Sequence, residues 1–154
     1  MSAQKHASNR AAITELIVEV FRLNGGLLDA GDGLVGDIGL SSARWQVLGA
    51  IAAAVAPLPV AHIARNMGLT RQAVQRLAND LERDGLIRFA TNPHHERAKL
   101  VVLTEAGSSV FETAMRRQAP WAERLGKGMK LADLEVALRV VTDMRRRLEA
   151  SPPG

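Results

Sequence analysis

Apolar side chains recur every three or four residues towards both ends of the chain, a spacing that places them on one face of an α-helix. One such stripe runs from Ile13 to Leu23, and another runs from Leu134 to Leu148. The glycine pair Gly25-Gly26 would cost about 1 kcal/mol per residue inside a helix, yet apolar residues resume at Leu27. The pattern predicts two long amphipathic helices. It leaves the end of the first ambiguous, with a long helix that is kinked or interrupted at the glycine pair as one option.

Three shorter helices are predicted in the middle of the chain, over residues 43–55, 59–67 and 71–84. Ser41 or Ser42 caps the first of them, and Pro57 stops it. Gly68 suits the left-handed end of the second, and Thr70 caps the third. The second and third helices are therefore joined by a very short turn.

Two runs of β-branched and aliphatic residues follow, at 86–91 and 98–103, and they flank the turn residues Asn92-Pro93. These runs predict a two-stranded hairpin. Thr104 caps a fifth helix that continues past Ala119, with a bend at Pro120 left open. The fold class expected from these elements is mainly α with one small β-hairpin.

The short helix pair has the spacing of a helix-turn-helix. Ala64, Gly68 and Val74 occupy the small, turn and core positions of that motif. The alternative is an ordinary pair of helices in a bundle. The side chains on the second helix of the pair distinguish these interpretations.

The N-terminal half of that second helix carries side chains that read DNA bases. Arginine pairs with O6 and N7 of guanine, and glutamine pairs with N6 and N7 of adenine. The acidic residues gather in the other half, at positions 80, 82 and 84. A solvated surface helix needs no such segregation, so we predict that this helix contacts DNA through Thr70, Arg71, Gln72, Gln75 and Arg76.

The order of elements, with two helices, a helix-turn-helix, a hairpin and two more helices, resembles the multiple-antibiotic-resistance regulator (MarR) family. The matching residues are Gly39 to Leu48, Ile63-Ala64, Met67 to Thr70, Leu81 to Ile87, Asn92-Pro93, Arg97 to Lys99 and Leu103 to Gly107. The likeness covers nearly the whole chain, and as a set these motifs are highly specific.

The resemblance implies a single MarR-like domain over 1–154, with a winged helix-turn-helix DNA-binding lobe at 41–104, dimerisation helices at 1–38 and 105–150, and a disordered tail at 151–154. It also implies a homodimer that places two lobes on successive major grooves of double-stranded DNA, at a pseudo-palindromic operator. The amphipathic terminal helices favour a second copy independently, because they carry apolar surface that little else in the chain can cover. The alternative is packing of the same stripes within one chain.

The hairpin tip departs from the pattern of the resembled family. There the tip carries Asp-x-Arg, in which the arginine enters the minor groove and the aspartate holds it. Arg97 matches the arginine, but His95 stands at the aspartate position. An imidazole cannot anchor a guanidinium as a carboxylate does, and neighbouring Glu96 is a candidate substitute. We predict that Arg97 and Lys99 contact DNA.

A metal site is the alternative interpretation of His94-His95-Glu96. Adjacent residues in a tight turn point apart, and His6 and His62 lie in other segments. For these reasons we expect neither a metal nor another cofactor. A metal-responsive protein that uses the wing histidines is kept as the main rival hypothesis.

Members of the resembled family often bind small aromatic or phenolic anions between the dimerisation helices and the DNA-binding lobe, and then release DNA. By this resemblance the ligand candidates are Arg44, Trp45 and Gln46, since arginine holds a carboxylate and an indole offers a flat apolar wall. A core position for Trp45, and a phosphate contact or salt bridge for Arg44, are the alternatives. We expect a repressor released by a small ligand; the other option is a ligand-blind DNA-binding or protein-docking module of the same fold.

Composition narrows the function classes further. The net charge of +4, from 20 basic and 16 acidic residues, is compatible with a phosphate-rich partner. The absence of cysteine excludes disulfides, thiolate metal sites and cysteine-oxidation switches. No nucleophile-base pair or phosphate-cradling glycine loop is evident, so no enzyme is predicted. The polar N-terminus and the lack of a membrane span lead us to expect a cytoplasmic protein.

Overall fold

Helices dominate the computed structural model, which describes residues 8–151. The helices are Asn9–Val35 (α1), Ser42–Ala53 (α2), Val60–Met67 (α3), Arg71–Arg83 (α4), Glu105–Gly126 (α5) and Leu131–Ala150 (α6). The strands are Leu58–Pro59 (β1), Ile87–Ala90 (β2) and Leu100–Leu103 (β3), and Gly36–Ile38 form a 3-10 turn. The mainly α fold with a small hairpin is thus confirmed.

The first helix is continuous. Ser8 caps α1 by accepting a hydrogen bond from the Ala11 amide at 3.2 Å, and the helix then runs for 27 residues through Gly25-Gly26. An unbroken hydrogen-bond ladder on both sides outweighs the intrinsic cost of the glycine pair. The interruption that the sequence left open does not occur.

The helix-turn-helix has the predicted caps. Gly68 ends α3 with a φ of 66°, a left-handed conformation that glycine adopts without a Cβ penalty. The Thr70 side chain accepts a hydrogen bond from the Ala73 amide at 3.1 Å and so starts α4. Ala64 and Val74 are buried between the two helices and the rest of the core, as the motif requires. These local signals set where α4 begins.

The sheet has three antiparallel strands in the order β1-β3-β2, rather than the two strands predicted. In the hairpin, Ile87 lies opposite Leu103 and Phe89 opposite Val101. The added strand β1 pairs with β3, with Leu58 opposite Val101. The prediction that Pro59 opens a helix was therefore wrong by one residue, because Pro59 is extended and α3 begins at Val60.

Other predicted limits also differ from the observed ones. The second helix was predicted over 43–55 but ends at Ala53, because Ala54 is already extended and Val55 is fully exposed with nothing to pack against. The predicted strand runs at 86–91 and 98–103 shorten to the paired residues of β2 and β3. Helix α5 continues through Pro120.

One apolar core joins the end of α1 to α2, α3, α4, α5 and the hairpin. Its fully buried members come from every one of these elements: Val35, Val47, Leu48, Ile63, Val74, Ala78, Leu81, Ile87, Val101 and Ala114. Burial of each large aliphatic side chain contributes about 1.5 to 3 kcal/mol. The buried stripe of α4 therefore fixes which of its faces remains exposed.

Two close approaches lock neighbouring helices into place. The buried Ser42 donates its amide to Asp32 Oδ1 at 2.7 Å and its hydroxyl to the Leu28 carbonyl at 2.6 Å, and a Cβ on Gly31 would lie 2.1 Å from its Oγ. Side chains larger than glycine at position 31 would thus push α1 from α2.

The start of α5 is held against the hairpin in a similar way. Thr104 donates its hydroxyl to the Gly85 carbonyl at 2.6 Å and accepts from the Gly107 amide at 3.0 Å. A Cβ on Gly107 would lie 1.9 Å from the Leu86 carbonyl oxygen, so this position requires glycine. The predicted cap at Thr104 is confirmed.

The chain divides into two compact units, one ending at Arg117 and one beginning at Gln118. In the second unit, α6 has no buried residue, and its exposed apolar side chains include Leu134, Leu138, Val141 and Leu148. The limits of the predicted DNA-binding lobe and dimerisation helices stay predictions. The predicted disordered tail lies outside the described residues from position 152 onward.

None of the helices described between residues 8 and 151 combines the length and apolar character needed to cross a membrane.

Candidate nucleic-acid interface

Helix α4 presents a polar face on its N-terminal half because its apolar stripe is buried. Val74, Ala78 and Leu81 point into the core. The opposite side carries the exposed side chains of Arg71, Gln72 and Arg76, with Gln75 half-buried beside them. The predicted base-reading residues thus share the accessible face of one rigid helix.

This face consists of two stripes. Gln75 donates from Nε2 to Asn79 Oδ1 at 2.8 Å. Together with Arg71, these two amides form the stripe of α4 that faces the hairpin. Gln72 and Arg76 form the other stripe, which we call the outer stripe. In the part of the chain that the structure describes, the side chains of the outer stripe make no hydrogen bond or ion pair. They are free to bind an external partner.

The loop between β2 and β3, here called the wing, is folded by the side chain of Asn92. This buried amide donates from Nδ2 to the Ala98 carbonyl at 2.9 Å, and its Oδ1 accepts from the His94 amide at 3.0 Å. The His95 amide also donates to the Asn92 carbonyl at 3.2 Å. Backbone and amide contacts therefore define the wing, and the sequence signal for them was the Asn-Pro turn.

The charged side chains of the wing point to solvent. Arg97, Lys99 and Glu96 are exposed, and between residues 8 and 151 no side-chain hydrogen bond or ion pair involves any of them. Glu96 thus does not take over the anchoring of Arg97 that sequence analysis left open. Arg97 and Lys99 keep their full hydrogen-bonding capacity.

Helix α4 and the wing line one groove, here called the wing groove, with a volume of about 530 Å³. Its lining residues are Pro59, Val60, Ala61, Arg71, Gln75, Asn79, Phe89, His95, Arg97, Ala98 and Lys99. Three of these residues are permanent cations, and none is a carboxylate. Such a groove attracts an anion.

The predicted DNA contacts therefore fall into three places. Arg71, Gln75, Arg97 and Lys99 meet at the wing groove, although two come from α4 and two from the wing. Gln72 and Arg76 lie on the outer stripe, and Thr70 caps α4. Sequence analysis missed Asn79 and Phe89, because it weighed only the N-terminal half of α4 and treated β2 as scaffold. The spacing of Asn79 from Gln75, one helical turn, was the available signal for the first of them.

Arg44 links α2 to the end of α4 through a pair of contacts, here called the strap. Its Nη1 donates to the Gly39 carbonyl at 2.8 Å, and its Nη2 forms an ion pair with Asp84, the residue that ends α4. The Arg44 side chain is 18% exposed, and its Nε is buried without a partner among the described residues. This arrangement is the salt bridge that sequence analysis considered beside the ligand role.

The other two ligand candidates have different surroundings. Trp45 is half-buried and packs against the core, and Gln46 is exposed. The ligand role of Arg44, Trp45 and Gln46 stays a prediction.

A second arginine fastens α5 to the end of α1. Arg117 donates from Nη1 to the Leu34 carbonyl at 2.9 Å and forms a two-pronged ion pair with Asp37, in which Nη2 lies 3.1 Å from Oδ2. The hydrogen bonds from Arg117 hold the pKa of Asp37 below its ordinary value of 3.8. The same contact raises the pKa of Arg117.

No group of three or more histidine, aspartate or glutamate side chains within residues 8–151 lies close enough to hold a metal ion. The wing histidines therefore gain no third ligand from the described part of the chain, and His6 lies outside it.

Comparison with known proteins points to one family. Residues 38–98 match the family model described as "MarR family". An uncharacterised protein of Mycobacterium tuberculosis (strain ATCC 25618 / H37Rv) is 37% identical over 136 residues, which are 88% of this chain and 91% of that protein. The transcriptional activatory protein BadR of Rhodopseudomonas palustris is 28% identical over 116 residues, covering 70% of this chain and 66% of BadR.

Solved structures show the same fold. A MarR/EmrR family transcriptional regulator from Acinetobacter sp. ADP1 superimposes with a TM-score of 0.79 at 18% identity, covering 89% of this chain and 96% of that one. CouR from Rhodococcus jostii RHA1, solved bound to p-coumaroyl-CoA, gives a TM-score of 0.71 at 22% identity, covering 97% and 99% of the two chains. These likenesses establish the winged helix-turn-helix architecture.

Proposed function

The chain belongs to the MarR family of DNA-binding transcription regulators, and we propose that it acts as a cytoplasmic homodimer on a pseudo-palindromic operator. The observation that carries this proposal is the meeting of α4 and the wing around a groove lined by cations and free of carboxylates. A recognition helix and an adjacent basic wing bind the two grooves of one DNA face.

Each predicted contact has a distinct role in this proposal. Gln72 and Arg76 on the outer stripe read base edges in the major groove, where glutamine and arginine each make bidentate contacts. Arg97 at the wing enters the minor groove. Arg71 and Gln75, which sequence analysis grouped with the base-reading residues, line the wing groove and in this proposal bind the DNA backbone together with Thr70 and Lys99. Such contacts position the lobe without reading sequence.

The dimer is supported by unpartnered apolar faces. Phe21 of α1 is 74% exposed, and Leu138 of α6 is 68% exposed, each within a helix that displays further aliphatic side chains. Contiguous apolar surface of this kind on a helix marks a protein interface. A second copy of the chain supplies the complementary surface, because a two-fold interface buries the same face on both subunits.

DNA binding is tested with a labelled duplex from the region upstream of the protein's own gene. We expect salt-sensitive binding. Arg76→Ala should reduce the preference for this duplex over an unrelated one by about 1 to 3 kcal/mol, because it removes a base contact. Arg97→Ala should weaken binding to both duplexes with a smaller loss of preference. If the protein shows no salt-sensitive binding to either duplex, the proposal is contradicted.

We further propose that the protein is a repressor released by a small aromatic or phenolic acid. Support comes from CouR, a neighbour of the same fold solved with p-coumaroyl-CoA. The relative BadR is named a transcriptional activatory protein. Whether this protein represses or activates transcription is therefore tested separately, with a reporter gene in cells that lack the regulator.

The strap between α2 and α4 suggests how such a ligand acts. A carboxylate bound by Arg44 would compete with Asp84, and the end of α4 would then lose its tether to α2. Asp84→Asn should mimic the ligand by weakening DNA binding and should make the protein less responsive to it. A screen of aromatic acids and phenols that changes neither melting temperature nor DNA affinity would contradict the ligand proposal while leaving DNA binding intact.

A further inference from the structure

The wing groove contains one histidine beside its three permanent cations. His95 lines the groove together with Arg71, Arg97 and Lys99. A histidine side chain changes charge between about pH 5 and about pH 8, whereas arginine and lysine stay positive throughout that range. Among the residues that line the groove, His95 is thus the one whose side-chain type can be neutral or positive in this pH range.

The elements around His95 supply cations and neutral groups. Helix α4 contributes Arg71 beside the neutral Gln75 and Asn79, and the wing with β3 contributes Arg97 and Lys99. Strand β1 contributes Pro59, the start of α3 contributes Val60 and Ala61, and β2 contributes Phe89. The neighbours His94 and Glu96 are exposed and do not line the groove. These elements thus place three permanent positive charges and no carboxylate around the groove.

The shape of DNA indicates which anion enters. The major and minor grooves of a duplex are separated by one sugar-phosphate strand. If α4 lies in the major groove and Arg97 in the adjacent minor groove, that strand must pass between α4 and the wing. The wing groove lies between these two elements, and each strand carries one phosphate per 3.4 Å or so along the axis.

We propose that the wing groove binds the phosphates of this strand and that His95 binds one of them as an imidazolium, so that each lobe takes up a proton from solvent when it binds DNA. The imidazolium N–H donates to a phosphate oxygen, and no covalent bond changes. An aspartate, which stands at this position in the resembled pattern, would instead present a negative charge to the strand. His95 thereby makes the affinity of this protein for DNA depend on pH.

Two measurable consequences follow, and both rest on the proposed DNA binding. Affinity should be about five- to tenfold higher at about pH 6 than at about pH 8, because the charged form makes a charge-assisted hydrogen bond. The slope of log affinity against log salt concentration should be steeper at the lower pH by about 0.9 for each wing, since one more phosphate is neutralised. Both effects should appear on DNA of any sequence, because phosphates carry no sequence information.

The experiment measures the fluorescence anisotropy of two labelled duplexes, one from upstream of the protein's own gene and one of arbitrary sequence, at both pH values and several salt concentrations. The full chain is compared with His95→Gln, which keeps a neutral hydrogen-bonding side chain, and with His95→Lys, which keeps a positive charge. His94→Gln is the matched control, because it removes the adjacent imidazole, which does not line the groove.

We expect His95→Gln to bind at both pH values with the low-affinity, shallow-slope behaviour of the unmodified protein at about pH 8. His95→Lys should retain tight binding at both, and His94→Gln should behave like the unmodified protein. The inference is overturned if His95→Gln keeps the full pH dependence, or if His94→Gln removes as much of it. A protein that binds neither duplex at either pH would instead contradict the proposed function itself.

Discussion

The lobe that contains α2, α3, α4 and the hairpin buries its apolar side chains within one chain, whereas α6 buries none of its own. Leu81 of α4 is completely buried, and Leu138 of α6 is 68% exposed, although both lie on apolar stripes of similar spacing. The same helical pattern thus has two outcomes. In the lobe it packs α4 onto the core, and in α6 it leaves apolar side chains exposed, which form the surface for a second copy in the proposed dimer.

The largest expected effect tests the second of these outcomes. Leu138→Glu should disrupt the proposed dimer, because it puts a carboxylate into an interface that would otherwise bury a leucine from each subunit, a loss of about 3 to 6 kcal/mol per dimer. Sedimentation equilibrium should show a shift from dimer to monomer. DNA affinity should fall as well, because two linked lobes bind far more tightly than one.

Arg139→Glu is the matched control for this variant. It introduces the same carboxylate on the polar side of α6, which does not carry the apolar stripe. The control should remain dimeric. A Leu138→Glu protein that stays dimeric would show that the apolar face of α6 has a different partner.

The next effect tests the lobe. Leu81→Ala should lower the free energy of unfolding by about 2 to 5 kcal/mol, because it leaves a cavity beneath the recognition helix. Denaturant unfolding measures this loss, and Leu69→Ala, at an exposed position in the turn, should change it little. Equal losses in the two variants would show that the core beneath α4 is less tightly packed than its complete burial indicates.

Local signals explain which parts of this lobe were predictable from sequence. The end of α3 follows from Gly68 and the start of α4 from Thr70. Both roles depend on residues within one turn, so both caps were predicted and confirmed. Strand β1 has two residues and no periodicity, and it exists because Leu58 reaches β3, far along the chain. The strap from Arg44 to Asp84 spans 40 residues, and sequence alone cannot select which carboxylate an arginine will meet.

The candidate site was predictable to a similar extent. Residue types and helical spacing were sufficient to propose Gln72 and Arg76, because the buried stripe of α4 determines its exposed face. The wing groove was not foreseen as a single feature, since it requires the wing to fold back towards Arg71. The substitution at His95 was visible in the sequence, but its neighbours in space were not.

The smallest effect concerns the contact that attaches α5 to the end of α1. Because Arg117 lowers the pKa of Asp37 in the folded protein, the contact stabilises the fold fully above the ordinary carboxyl pKa. Its contribution is lost as pH falls through the lowered pKa, when the carboxylate becomes protonated. Both side chains are partly exposed, so solvent screening keeps the effect small.

Thermal unfolding between about pH 5 and about pH 2 should therefore show a slightly weaker acid destabilisation in Asp37→Asn than in the unmodified protein. Asp29→Asn, which changes an exposed carboxylate of α1 with no described ion pair, should leave the acid dependence unaltered. If Asp37→Asn behaves like that control, the contact between α5 and the end of α1 depends on the Leu34 carbonyl rather than on charge.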